Sequence, residues 1–307
     1  MNEYAIETRH LTKKYGTQAS VSDVSLHIRK GHIYGLLGRN GAGKTTLMKM
    51  LVNLVQPSSG EIEIFGMPID QKEKEILPRV GCLIESPGFY PNLTGYENLK
   101  IFATLRGIHR RDAITNALKL VGLEQEKKKL FSQYSLGMKQ RLAIALAIMH
   151  DPELLILDEP VNGLDPIGIV EIRGFLQKLC KQQGKTILIS SHILSEISML
   201  ADDVGIIHKG VLLEEESLED LEHKNRRHIT LTVSNTFETS RILDSSFGKV
   251  PFEVRDDHTI WMYATDLPMG KLNRMLVNSG IDVSAIYLSE DTLEDYFVRL
   301  TGGEESV

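Results

Sequence analysis

Eight consecutive residues, Gly38-Arg39-Asn40-Gly41-Ala42-Gly43-Lys44-Thr45, carry the spacing glycine, four residues, glycine, lysine, hydroxyl. Glycines at 38, 41 and 43 let a loop curl until successive backbone N–H groups converge on phosphate oxygens. Lys44 has the charge and reach for β- and γ-phosphates, the Thr45 hydroxyl is a ligand for Mg²⁺, and Thr46 continues the cradle. A helix starting near Lys44 would add the positive end of its dipole. This chemistry requires a strand before the loop and a helix after it. The flanks comply: His32–Leu37 is apolar and β-like, and Thr45–Leu54 is helix-like. The plain alternative is a glycine-rich turn leading into an amphipathic helix.

A second set of chemical groups lies more than a hundred residues on. Leu154, Leu155, Ile156 and Leu157 run directly into Asp158 and Glu159. A buried strand of this kind delivers both carboxylates to the carboxyl edge of a sheet. Asp158 is then placed to hold Mg²⁺, and Glu159 to orient or deprotonate an attacking water. Alone, the run reads equally as a strand meeting a helix cap. Together with the glycine-rich loop it predicts the other half of a nucleoside triphosphate site.

The elements that position these groups alternate along the first two thirds of the chain. Val24–Ile28, His32–Leu37, Glu61–Phe65, Val80–Ile84, Leu154–Leu157, Thr186–Ser190 and Val204–His208 read as short strands, several of them apolar on both faces. That pattern predicts an α/β core with a largely parallel sheet. Residues 86–150 differ, with helical periodicity in Tyr96–Arg106, Arg111–Val121 and Met138–His150, and read as an inserted helical subdomain. A charged stretch from Glu214 to Arg227 marks a boundary, giving a first domain over 1–220 and a second over 221–307. The second reads β-like at His228–Val233, Thr259–Tyr263 and Val283–Leu288, and helical at Ser240–Phe247, Met269–Asn278 and Leu293–Leu300, which predicts a small α+β fold.

Composition narrows the partners. The 307 residues carry a net charge of −6, which argues against nucleic acid. No apolar run approaches membrane-spanning length, and the first residues lack a basic start and an apolar stretch, so neither a span nor a signal peptide is expected. Cys82 and Cys180 have no metal-type spacing, and a reducing cytoplasmic setting fits them.

Further motifs then carry a resemblance. Tyr134-Ser135-Leu136-Gly137-Met138-Lys139-Gln140-Arg141 resembles the signature of ABC transporter ATPases. Gly163-Leu164-Asp165 resembles their dimer-crossing loop, Ser190-Ser191-His192 their switch histidine, and Tyr15 the aromatic that stacks on adenine. With the phosphate loop and Asp158-Glu159, these motifs follow the family order. The resemblance implies ATP and Mg²⁺ as cofactors. It implies a second copy of the chain, whose Ser135 and Gly137 cap the partner's ATP, with Asp165 at the dimer seam. It also implies separate membrane permease subunits docked near Glu85–Glu97 and a place at the cytoplasmic face of the membrane. Phe89 and Tyr90 are the candidate exposed aromatics for that docking, with local packing as the alternative. Read without the resemblance, His192 is a helix cap in a loop, Tyr15 an exposed aromatic, and Asp165 a turn former before Pro166.

Two positions depart from the family pattern. In the signature, Tyr134, Leu136 and Met138 replace the common residues while Ser135 and Gly137 remain. At the end of Val80–Ile84 the usual glutamine is replaced by Glu85, a carboxylate able to ligate Mg²⁺ but adding negative charge beside the phosphates. The alternative for Glu85 is a strand-end acid facing solvent. Glu85 itself, Glu85-Ser86-Pro87-Gly88-Phe89-Tyr90, Asn162–Gly168 and the tail Ser289–Gly302 resemble the ATPases of bacitracin-resistance and lantibiotic-immunity exporters. The resemblance implies an ATPase powering resistance to a peptide antibiotic, with bacitracin first and lantibiotic immunity as the alternative. A soluble ABC ATPase outside transport and a nucleotide-gated regulatory module are the competing classes.

Overall fold

The structure, a computed structural model, describes residues 3–126, 128–224, 226–247, 250–264 and 266–302. It divides into two units, Met1–Glu219 and Asp220–Val307.

The first unit opens with β1 (Tyr4–Tyr15), β2 (Gln18–Val24), β3 (His27–Arg29) and β4 (Ile33–Leu37), followed by α1 (Lys44–Leu51). Next come β5 (Ser59–Ile64), β6 (Met67–Pro68), α2 (Ile69–Ile76) and β7 (Val80–Leu83). Three helices follow, α3 (Gly95–Leu105), α4 (Ala113–Leu120) and α5 (Leu136–Ile148). The unit then runs through β8 (Leu154–Leu157), α6 (Pro166–Gln183), β9 (Thr186–Ser191), α7 (Leu194–Ser198), β10 (Asp203–His208) and β11 (Val211–Ser217).

Six of these strands form one sheet in the order β11-β10-β4-β9-β8-β7. Five are mutually parallel, and β11 pairs antiparallel with β10. β4 and β8 are buried at every residue, which explains their unbroken apolar sequence. After β4 the chain crosses to β7 and returns through β8 to β9, then passes β4 to place β10 on its other side. The strand order therefore reverses at β4, and a crevice at such a reversal, beyond the carboxyl ends of the strands, is where ligands bind open parallel sheets. The α/β class and the parallel core match the sequence reading.

A second sheet was not legible beforehand. β2-β1-β5-β6 pair in that order with β3 also on β1, all antiparallel. The register of β1 shifts against each of its three partners, so its buried residues do not alternate cleanly. The expected strand Val24–Ile28 is also divided, because β2 ends at Val24 and β3 begins at His27. Between them Leu26 N–H donates to the Thr8 hydroxyl at 2.9 Å, a buried side-chain contact added to the backbone bonds that Leu26 and Thr8 exchange.

The helical segment begins with Thr94, whose hydroxyl accepts from Glu97 N–H while the Glu97 carboxylate accepts from Thr94 N–H, a reciprocal cap on α3. α5 is apolar around its circumference from Leu142 to Ile148, and each of those residues is buried. It is a core helix rather than an amphipathic one. It approaches β7 so closely that a Cβ on Gly81 would collide with the Ala147 carbonyl oxygen. Among the described residues no helix is long and apolar enough to cross a membrane.

The second unit contains β12 (Arg227–Val233), α9 (Thr236–Phe247), β13 (Phe252–Val254), β14 (Thr259–Met262), α10 (Met269–Asn278), β15 (Val283–Glu290) and α11 (Leu293–Leu300), reached through α8 (Leu218–His223). Its antiparallel sheet runs β13-β14-β12-β15. This is the split β-α-β arrangement, with two α-carrying halves interleaved in one sheet. Ile229, Leu231, Val233, Ile260 and Met262 form a core with Leu243, Leu272 and Leu276 from the helices. In the same sheet His228 stacks on Trp261 at 4.0 Å, and the Arg255 guanidinium lies 4.0 Å from the same indole. The end of the chain, 303–307, lies outside the described residues.

The Gly81 contact is with backbone and cannot be relieved by a side-chain rotation. Gly81→Ala is expected to lower unfolding stability by about 1–3 kcal/mol, the range for overpacking. Chemical denaturation would check it, and an unchanged midpoint would show that α5 and β7 separate freely.

Candidate nucleotide site

The carboxyl ends of β4, β8 and β9 bring together residues from across the sequence. Gly38 follows β4, and a Cβ there would lie 2.5 Å from the Ile207 carbonyl oxygen, so glycine is required by the neighbouring strand. Gly43 has φ +105° and faces the Ser20 carbonyl oxygen so closely that a Cβ would collide with it. Gly41, at φ +79°, also adopts the left-handed conformation. Ala42 anchors the loop, its carbonyl accepting from Gly210 N–H at 2.9 Å. Arg39 is half-buried and Asn40 is exposed at the loop tip.

Lys44 is only 6 % exposed. Its Nζ donates to the Gly38 carbonyl at 2.6 Å and lies 3.2 Å from Glu159 Oε1. The other Glu159 oxygen is 2.8 Å from His192 Nδ1. Lys44, Glu159 and His192 thus form one charged cluster, although they arise from α1, the end of β8 and the end of β9. Glu159 has φ +47°, uncommon for a residue other than glycine, and its N–H donates to the Ser190 hydroxyl at 2.9 Å.

Asp158 is tied on both oxygens. Thr45 Oγ1 donates to Oδ2 at 2.7 Å, and Ser190 Oγ donates to Oδ1 at 2.5 Å. Thr46 Oγ1 accepts from Ser20 Oγ at 3.0 Å, linking α1 to β2. Sequence reasoning assigned no role to Ser20 or Ser190. A hydroxyl at the end of a buried strand beside the acidic pair was the available signal for Ser190, whereas Ser20 carried none.

The oxygen set fits a hard divalent cation. Thr45 Oγ1 and the Asp158 carboxylate lie at the start of the helix after the loop, and Mg²⁺ characteristically takes one or two protein oxygens together with phosphates and waters. Among the described residues no group of three or more His, Cys, Asp or Glu could cage a metal on its own.

Glu85 is not brought into this cluster. Its side chain is 69 % exposed, with φ +64°, and it pairs with Lys49 Nζ at 2.6 Å. Sequence reasoning passed over Lys49, although it sits one helical turn after Thr45. Tyr15 is half exposed at the β1–β2 turn, with Lys13 Nζ 5.1 Å from its ring centre. Of the two aromatics offered for docking, Tyr90 is exposed but Phe89 is buried. The Phe89 ring packs edge-on to Phe102 at 5.7 Å and against Phe131 at 5.1 Å, which corrects the expectation that it faces a partner.

Ser135 and Asp165 cap helices. The Ser135 hydroxyl accepts from Met138 N–H at the start of α5, and Asp165 Oδ1 accepts from Gly168 N–H at the start of α6. They line one open pocket with Leu136, Gly137, Gly163 and Arg141, the last of which is paired with Glu171. None of Gly38–Thr46 lines it. One chain therefore holds the phosphate loop and the Ser135 loop as separate surfaces.

A phosphate cradle, an acid pair and a histidine at the carboxyl edge of a parallel sheet define a nucleotide-binding α/β protein of the P-loop class. Comparison with known proteins takes the class further. The ABC transporter family profile matches residues 21–162. The bacitracin transport ATP-binding protein BcrA of Enterococcus faecalis is 52 % identical, covering 98 % of this chain and 97 % of its own length. The lantibiotic transport ATP-binding protein SrtF of Streptococcus pyogenes is 45 % identical, covering 69 % of this chain and 90 % of its own length. The dimeric structure of MJ0796, a bacterial ABC transporter cassette, superposes with a TM-score of 0.63 at 26 % identity, covering 69 % of this chain and 98 % of that one. The chain belongs to the ATP-binding proteins of ABC transporters.

Gly43→Ala is expected to abolish detectable ATP binding while leaving helix content intact, because both φ and the Ser20 carbonyl exclude a methyl group there. Equilibrium binding with far-ultraviolet circular dichroism would check it. Binding at wild-type affinity would show that the loop does not need this geometry.

Proposed function

We propose that the chain is the ATP-hydrolysing subunit of a transporter that protects a bacterium from a bacitracin-type peptide antibiotic. The observation that carries the reading is the Lys44–Glu159–His192 cluster beside Thr45 and Asp158, in a chain similar to BcrA over nearly its whole length. The similarity to SrtF spans a smaller share of the chain, which favours bacitracin over a lantibiotic as the cargo.

The residues divide the work. Backbone N–H groups of Gly38–Thr46, the positive end of α1 and the Lys44 ammonium bind and orient the phosphates. Tyr15 offers a face for the adenine ring. Thr45 and Asp158 would hold Mg²⁺, which supplies charge neutralisation across the transferred phosphoryl group. Glu159 accepts a proton from the attacking water, and His192, bonded to its second oxygen, fixes the direction in which that carboxylate points. Ser135, Gly137 and Asp165 act on the nucleotide of a second copy, since their pocket lies apart from the phosphate loop of their own chain. The dimeric arrangement of the similar cassette supports this pairing.

Separate membrane subunits complete the transporter and hold this chain at the cytoplasmic face. A groove of about 620 Å³, lined by Leu54, Leu77, Pro78, Cys82 and Ile108 among others, together with exposed Tyr90, offers the surface on which they dock. The second unit, 221–307, is an accessory domain.

Glu159→Gln is expected to retain ATP binding and lose turnover, and Lys44→Ala to weaken binding itself. Calorimetry and phosphate release on the purified complex separate the two, and wild-type turnover by Glu159→Gln would remove the proposed base. In the native host, Glu159→Gln is expected to cause hypersensitivity to bacitracin. Hypersensitivity to nisin alone would move the cargo to lantibiotics, and no change to either would refute the antibiotic assignment.

A further inference from the structure

We infer that Lys49 is a positioning residue for the nucleotide and acts through Glu85. Its ammonium holds the Glu85 carboxylate and cancels the charge that this acid would otherwise direct at the phosphates. The inference rests on the nucleotide reading above and deepens it.

The geometry begins with α1. Lys44 and Lys49 lie five residues apart on the helix that starts at the phosphate loop. Lys44 meets Glu159 at the end of β8, and Lys49 meets Glu85 just beyond β7. One helix thus supplies an ammonium to each of two carboxylates at the ends of adjacent strands. Those strands are in close register there, because Asp158 N–H donates to the Leu83 carbonyl at 2.8 Å, two residues before Glu85. The Glu85 backbone is left-handed, so the chain turns sharply at this point instead of continuing the strand.

Charge explains why the pair matters. Asp158 and Glu159 already bring two negative groups to the phosphate cradle, and Glu85, outside that cluster but two residues beyond Leu83 on the strand paired with β8, puts a third carboxylate on the same sheet edge. Like charges at a site that must accept a polyphosphate oppose binding. The Glu85 hydrogen bond is the main cause raising the Lys49 ammonium above the usual lysine range, and the Asp158 charge adds to it. The ammonium therefore lies in the field of both acids. An ion pair this open to solvent contributes little to folding stability, so its loss is expected to leave the unfolding midpoint in place.

The test is a double-mutant cycle on the full chain, read by equilibrium binding of ATP with EDTA and with Mg²⁺, alongside unfolding midpoints. Lys49→Ala is expected to weaken ATP binding about fivefold, and Glu85→Gln added to it to return affinity to within about twofold of Glu85→Gln alone. Lys49→Arg should bind as wild type, and all midpoints should coincide. In turnover, Lys49→Ala should raise KM more than it lowers kcat. A Lys49→Ala loss that persists undiminished in the double variant would overturn the inference, because Lys49 would then act on the phosphates directly. Wild-type affinity in Lys49→Ala would overturn it as well. Failure of the wild-type chain to bind ATP would instead remove the nucleotide reading, and this inference with it.

Discussion

The Asp158 carboxylate is the constraint on which the site depends. Thr45 from α1 and Ser190 from β9 donate to its two oxygens, while its backbone N–H donates to Leu83 in β7. One residue therefore fixes three strands and a helix relative to each other. A hydrogen bond to a charged acceptor is worth roughly 1.5–3 kcal/mol, so losing Asp158 would orphan two hydroxyls and release the start of α1. The phosphate loop, whose own bonds are mostly backbone, depends on that anchorage for its direction. The same oxygens that hold the scaffold are those a metal would use, so binding and architecture share one group.

Much of this was legible because the burial pattern of the central sheet is simple. Leu154–Leu157 is apolar at each residue and buried at each residue, and its boundaries coincide with the sequence reading. The reading failed where side chains report something other than a two-sided interior. β1 carries charged residues and shifts register repeatedly, so no clean period marks it, and the antiparallel sheet built on it went unseen. Phe89 looked like an exposed aromatic in a Pro- and Gly-rich loop. Three-dimensional packing against Phe102 and Phe131, distant in sequence, decided otherwise.

The site divides along the same line. Lys44, Thr45, Asp158, Glu159 and His192 were identifiable from type and spacing, and they converge. Ser190, which bonds Asp158 and Glu159, Ser20, which bonds Thr46, and Lys49, which pairs with Glu85, were not, since a hydroxyl or a lysine on a helix has no motif of its own. Glu85 was noticed for its departure from the family pattern, but its direction is set by Lys49 across the α1–β7 gap. Chemistry was written locally, while orientation was written in pairs of residues far apart in the chain.

The separation of the Ser135–Asp165 pocket from the phosphate loop has a consequence for inheritance. In the proposed pairing each composite site draws one surface from either copy, and a symmetric dimer contains two such sites. In a mixed dimer an altered Ser135 or Asp165 then lies in one of the two sites, the one that holds the unaltered copy's nucleotide. A cell making normal and altered subunits in equal amounts would hold only about one fully normal dimer in four, by random pairing of a closed two-fold assembly. Changes at the helix caps Ser135 or Asp165 would thus interfere with the unaltered copy, behaving as dominant rather than recessive alleles.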